Sequence, residues 1–298
     1  MKAKRDTYQV ITDAIIAALE SCGPYERPWA GPALTMPVNA VTGRRYRGSN
    51  VVMLWITAQE AGYSENRWAT FKQWAEKGAT VRKGEKGTPV IWFQMLDRKA
   101  DAGDEAADDA TRKVPCARLS WVFNVAQVDG YAAPAPMPTQ NLVSPIEQAD
   151  ALLAASGATI THEGARAYYR PSTDSIVLPP REAFTGTATM TATEAYYATA
   201  LHELVHWTGP RLERDLANRF GTEAYAAEEL VAELGAAFLC ADLGVSTEPR
   251  EDHAAYLACW AKLLRDDRKA FTTAAAKAAQ ASDYLLAFIA PQEQAEAA

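Results

Sequence analysis

Cysteine and histidine are scarce in this 298-residue chain, with four of each. Cys22, Cys116, Cys240 and Cys259 are scattered and form no C-x-x-C pair. A disulfide scaffold is thereby excluded, and reduced thiols in a cytoplasmic protein are expected. Long apolar runs are missing too. Runs such as Ala14–Leu19 and Gly235–Ala241 fall far short of the roughly 20 residues that cross a bilayer, so no membrane partner is expected. Asp13 and Glu20 bracket the first run, and no cleavable signal peptide is visible behind the basic start. With 48% hydrophobic and 22% charged residues, intrinsic disorder is excluded as well. At this length two domains are the default expectation.

Charge of one sign is lacking in each half. Residues 1–132 carry 18 Lys/Arg against 15 Asp/Glu, and residues 133–298 carry 12 against 22. Six of the N-terminal carboxylates sit in one run, Asp97–Asp109; without it that half holds 16 positive and 9 negative charges. A basic half points to a polyanion partner, usually nucleic acid. The acidic run has little apolar surface to bury and is expected to be a mobile excursion.

Periodicity places the elements. Asp6 or Thr7 caps a helix carrying Val10, Ile11, Ala14, Ile15, Ala18 and Leu19, which Gly23-Pro24 ends. A second helix runs from Ser49 or Asn50 to Ala61, and a third from about Asn66 to Gly78. Val90–Leu96 predicts a buried strand, and the alternation through Leu119, Trp121, Phe123 and Val125 predicts a second, antiparallel to it. Pro134, Pro136, Pro138 and Pro145 mark a linker over 132–145. Beyond it come a helix, Ile146–Ser156, and short strands near Ala158–His162, Ala167–Arg170 and Ser175–Leu178. Everything after Thr191 is expected to be helical, ending in a surface helix from Phe271 and a frayed tail.

Two of the four histidines lie in His202-Glu203-Leu204-Val205-His206, an H-E-x-x-H pattern. Thr191 and Glu194 form a capping box ahead of it, and Gly209-Pro210 stops the helix behind it. Four residues apart on a helix, the imidazoles share a face and can reach one Zn²⁺. Glu203, beside such a metal, is placed to take a proton from water and pass it to a leaving amine. A third ligand is required, and the helix from Thr222 to Leu243 carries Glu229 and Glu233 on one face. One can bind the metal while the other orients a histidine through its far nitrogen. The run Glu229-Leu230-Val231-Ala232-Glu233 resembles the E-x-x-A-[DNE] second helix of zincins, which implies Glu229 as the ligand and Glu233 behind it. Glu228 lies off this face and is expected in solvent. His162 and His253 have no such context. The two-His, one-Glu set suits Zn²⁺ best, with Mn²⁺ or another divalent ion possible.

In the basic half, Gly43-Arg44-Arg45-Tyr46-Arg47-Gly48-Ser49-Asn50 groups three guanidinium groups around a tyrosine ahead of a helix start. Arg82, Lys83 and Lys86 form a second cationic turn, and Lys72 and Lys77 flank Trp74. Such groups neutralise phosphates and stack on unpaired bases. Arg44, Arg45, Tyr46, Arg47, Asn50, Lys72, Trp74, Arg82, Lys83 and Lys86 are therefore the candidate DNA contacts. Trp55, Trp68, Phe71, Trp92 and Trp121 are expected in the core.

On the segments Asn39–Asn50, Trp68–Trp74, Val81–Gly87 and Val122–Gln127, the first half resembles the N-terminal domain of ArdC-type antirestriction proteins, which also heads TraC-type primases. Asp174–Pro179, His202–Gly209 and Glu228–Leu239 resemble the zincin-like half of the same family. The resemblance implies a single-stranded-DNA-binding domain, residues 1–131, joined to a zincin-like metallopeptidase domain, residues 146–298, with a role in protecting incoming conjugative DNA. The expected fold is α+β in two domains, the second mostly helical with a small sheet. Where the family carries a further histidine after Thr-Gly, this chain has Pro210, and no ligand is assigned from it. Two rival readings remain: a DNA-binding shield with a vestigial metal site, and a peptidase whose N-terminal half recognises a protein.

Overall fold

A computed structural model describes residues 6–21, 35–99, 111–131, 145–186, 190–216, 222–245 and 254–290. Helix α1 (Thr7–Ser21) begins where the Asp6 carboxylate accepts from the Tyr8 backbone N–H at 2.9 Å. It buries Ile11, Ile15, Ala18 and Leu19, one face of a 3.6-residue repeat. Strand β1 (Val38–Asn39) and helix α2 (Ser49–Ala61) follow; Gly62, at φ +67°, ends α2 in a left-handed turn that glycine adopts freely.

Next come strand β2 (Arg67–Thr70), short helix α3 (Phe71–Glu76), β3 (Thr80–Val81), β4 (Thr88–Lys99), β5 (Thr111–Asn124) and β6 (Val128–Asp129). The main sheet has the order β1-β2-β5-β4, with β1 parallel to β2 and the other pairs antiparallel. The helix expected over 66–78 is thus a strand followed by a shorter helix. Thr70 and Gln73 make a reciprocal capping box that starts α3 at Phe71, and Trp68-Ala69-Thr70 pairs with β5 instead. Strand β4 continues through Asp97, Arg98 and Lys99, so the acidic run does not leave the sheet at Asp97. Residues 100–110, the rest of that run, lie outside the described residues, as does 132–144 of the expected linker.

The second half holds α4 (Pro145–Ser156), β7 (Thr159–His162), β8 (Tyr168–Arg170), β9 (Ser175–Leu178), α5 (Ala192–Trp207), α6 (Glu223–Leu243), α7 (Ala254–Asp266) and α8 (Ala270–Leu286). Its sheet is β7-β9-β8, with the central β9 buried along its whole length. Helix α6 is buried from Glu229 to Cys240 and packs against α5, α7 and α8. Apart from Glu229 and Glu233 the stretch is apolar all round, as a core helix is. Helix α8 is not the surface helix expected. Phe271, Ala274, Ala275, Ala278, Ala281 and Leu285 are buried on it, because alanine lets it lie close against α6. No helix among the described residues is long and apolar enough to cross a membrane.

The fold is α+β in two domains, the second mostly helical with a small sheet, and the two halves share one hydrophobic cluster. Helix α1 packs on α2, β4 and β5 of its own half and on α7 and α8 of the other, and α2 also meets α8. Thr12 Oγ1 donates to the Arg268 carbonyl at 2.8 Å across this seam. Ion pairs Arg265–Glu20, Arg268–Asp6, Arg45–Asp242 and Arg47–Asp283 rim it.

Candidate metal centre

The site is built from two adjacent core helices. The Thr191–Glu194 capping box starts α5, as the spacing predicts, with Glu194 N donating to Thr191 Oγ1 at 3.2 Å. Starting there, the register brings His202, Glu203 and His206 inward toward α6. Helix α6 starts at Thr222, whose hydroxyl accepts from Tyr225 N at 3.2 Å, and supplies Glu228, Glu229 and Glu233. The helices cross closely at Gly235: a Cβ there would stand 2.8 Å from Val205 Cγ2 and 2.9 Å from Cγ1. Gly235→Ala is therefore expected to push α6 off α5, costing about 1–3 kcal/mol as overpacking does. Thermal melting checks the cost, and metal titration should show a matching loss of affinity, since the two helices divide the donors between them.

His202, His206 and Glu229 bring one donor atom each to within 4.8 Å of one another, all three buried. His202 Nε2 lies 3.6 Å from Glu229 Oε2, and His206 Nε2 lies 3.7 Å from Glu229 Oε1. Ligands at about 2.0–2.1 Å around a tetrahedral Zn²⁺ stand about 3.3–3.4 Å apart, so these residues can close on such an ion with small adjustments. Both Nε2 atoms face the shared carboxylate because both Nδ1 atoms are held from behind. Glu233 Oε1 is 3.3 Å from His202 Nδ1, and Glu228 Oε1 is 3.2 Å from His206 Nδ1. Such outer carboxylates orient the imidazole and raise its basicity. Glu203, 5% exposed, lies on α5 beside the donors.

Glu228 is a correction. It is not in solvent: its carboxylate joins His206 to Arg214, whose Nε and Nη2 donate to it at 3.1 Å each. Arg214 also donates to Thr208 Oγ1 at 3.0 Å and to the Val205 carbonyl at 2.7 Å, fastening the turn after α5 to the helix end. The sequence offered no signal for Arg214; it lies eight residues past the motif, beyond the stop at Gly209-Pro210. Burial works against charge on His206, but the hydrogen bond to Glu228 and the charges of Glu229, Glu203 and Glu228 prevail and hold its pKa up to about 9. Burial raises Glu229, but the His202 hydrogen bond and both imidazoles bring it down to about 2. The cluster is strongly anionic around its imidazoles, the polarity a cation requires.

The proposed DNA contacts are scattered. Trp74 is withdrawn as a stacking platform. It is fully buried, donates to the Phe123 carbonyl at 3.0 Å and meets Tyr131 edge to face. Tyr46 is half-buried, accepts from Asn39 and packs against both adjoining clusters. Asn50 is a backbone mimic: Nδ2 donates to the Ile91 carbonyl and Oδ1 accepts from Ile91 N–H, each at 2.7 Å. Arg82 is tied to Glu85, Asp129 and the Ala126 carbonyl, and Lys72 pairs with Glu76 at 3.8 Å. Arg45 and Arg47 face Asp242 and Asp283 of the other half. Arg44, Lys83 and Lys86 are exposed with no acidic partner among the described residues. The aromatics divide differently from the expectation: Trp55 and Trp68 are core, whereas Phe71, Trp92 and Trp121 are exposed, together with Phe93 and Met95. Trp92, Phe93 and Met95 stand on edge strand β4 and Trp121 on its neighbour β5, whereas Phe71 opens α3, and periodicity alone does not show which face of each is covered.

Comparison with known proteins agrees with this division. Residues 147–277 match the family model of a zincin-like metallopeptidase (MPTase-PolyVal), which defines the class of the second domain. Residues 5–123 match the N-terminal domain of the anti-restriction factor ArdC. The chain is 38% identical to the antirestriction protein ArdC of plasmid R388, whose metal-free crystal structure superposes with a TM-score of 0.75, covering 95% of this chain and 98% of that one. The Mn(II)-bound structure of the same protein gives the same TM-score. The protein y4eC of Sinorhizobium fredii is 44% identical over 94% of this chain and 91% of its own length. This chain therefore belongs to the ArdC antirestriction family. It is also 42% identical to a DNA primase TraC of Escherichia coli, of whose length it spans 21%.

Proposed function

We propose that the protein is a metal-dependent peptidase joined to a single-stranded-DNA-binding domain, acting to protect conjugative DNA from restriction. The convergence of His202 Nε2, His206 Nε2 and Glu229 on one point, each imidazole backed by a carboxylate, carries the peptidase half of this reading. In it, His202, His206 and Glu229 hold Zn²⁺, Mn²⁺ or a similar ion, and Glu233 and Glu228 fix the imidazoles. A divalent metal bound there supplies Lewis acidity and lowers the pKa of a coordinated water. Glu203 accepts the proton of the attacking water and returns it to the leaving amine. Metal titration of wild type, Glu229→Ala and Glu233→Ala tests the assignment. Glu229→Ala should lose stoichiometric metal, and Glu233→Ala should weaken it about 10- to 100-fold. The reverse pattern would move the ligand by one helical turn.

The DNA half rests on kinship with ArdC and the primases and on the cations that the fold leaves unpaired. Affinity for single strands should fall with salt by about 0.7 log units per log unit of salt for each phosphate contact. Replacing Lys83 and Lys86 with alanine should therefore flatten the slope by about 1.4. An unchanged slope would place the phosphate path elsewhere. Single strands should be preferred over duplex, because exposed Trp92 and Trp121 can stack only on unpaired bases.

A further inference from the structure

A cavity of about 290 Å³ opens between the N-terminal half and α8. One wall is the loop entering α2 with β4, and the other is α8. Its lining is mixed in a particular way. Ile91, Ala276 and Ala279 make flat apolar surfaces. Phe93, 55% exposed, adds an aromatic face that no other ring covers among the described residues. Thr272 also lines the cavity, with its Oγ1 turned away from solvent and without a hydrogen-bond partner. The Gln280 amide has no partner among the described residues either. Arg47 and Asp283 form an ion pair along it.

This lining selects against several occupants. A divalent cation would find one carboxylate, already neutralised by an arginine. An aliphatic chain would take the Gln280 amide out of water without giving it a partner, at a cost in free energy. A flat heterocycle with donors and acceptors on its edge suits both features, since its face lies on the Phe93 ring and its edge meets the Gln280 amide.

Building on the DNA-binding reading, we propose that this cleft is a nucleobase pocket, taking one unstacked base of a single strand against Phe93 with its edge toward Gln280. The bound strand then touches both halves, because the pocket wall opposite Phe93 belongs to α8.

The test is fluorescence anisotropy of labelled oligo-dT with the full chain, its Phe93→Ala variant and its Ala276→Phe variant. Ala276 is exposed on α8, so the larger side chain fills the cleft without entering the core. Phe93→Ala should weaken binding roughly 5- to 150-fold, the loss expected for one base stacked on an aromatic ring. Ala276→Phe should produce a loss of similar size, with melting temperatures unchanged for both. Excess dTMP should fail to displace the strand; displacement by dTMP equimolar with the strand would overturn the strand assignment in favour of a free nucleotide. Wild-type binding that neither variant alters would overturn the pocket and leave the DNA-binding reading standing. Absence of strand binding by the wild type would overturn that reading itself, and the pocket with it.

Discussion

His206→Ala is expected to lose stoichiometric metal, whereas Glu203→Gln is expected to keep it and lose hydrolysis. The two residues lie three positions apart on α5, Glu203 buried and the His206 side chain 13% exposed, so packing damage alone would not separate them. Removing the His206 ring takes away one of three convergent donors, and Glu229 then has His202 alone across from it. Glutamine at 203 keeps the shape and hydrogen-bonding reach of the side chain but cannot take a proton. A lost general base typically costs about 10²–10⁴-fold in rate. Metal content per chain, measured after dialysis and alongside cleavage of an unfolded protein substrate, separates the outcomes. Metal retained by His206→Ala would refute the ligand set. Hydrolysis undiminished in Glu203→Gln would refute the base. A wild type that holds metal and cleaves no substrate offered would favour a DNA-binding shield with a vestigial centre.

Arg214→Met should destabilise the protein more than any other single change near the site. The guanidinium is 4% exposed and its partner Glu228 13% exposed. Methionine fills much of the volume but leaves the Glu228 carboxylate enclosed with the imidazole alone, and frees the Thr208 hydroxyl and Val205 carbonyl of their donor. Breaking a buried ion pair by removing one partner costs about 3–5 kcal/mol. In a chain of this size that lowers the melting temperature by on the order of 10 °C. The double variant Arg214→Met/Glu228→Met removes both charges and should recover part of the loss, a non-additivity expected of residues in contact. If the double variant melts at the additive temperature, the pair is not coupled. Because Glu228 also holds His206, Arg214→Met should weaken metal binding even at temperatures where it remains folded.

Local signals were legible wherever one segment supplied both the pattern and its boundary. The capping box at Thr191 and Glu194, the four-residue spacing of His202 and His206, and the matching spacing of Glu229 and Glu233 each follow from helix geometry. The sequence by itself therefore determined the two helices of the candidate centre, the paired strands β4 and β5 of the first half and the small sheet of the second. Tertiary structure decided the rest, because burial and charge pairing depend on which distant segment arrives opposite. Trp68 is enclosed, whereas Trp92 and Trp121, on the same sheet, are not, and Trp74 on α3 is enclosed again. Glu228 left solvent because Arg214 folds back from the turn beyond α5. Arg45 and Arg47, basic in a basic segment, are held by Asp242 and Asp283 some two hundred residues away. An alanine-rich terminal helix became core, since small side chains admit close approach only when another helix lies there to be approached.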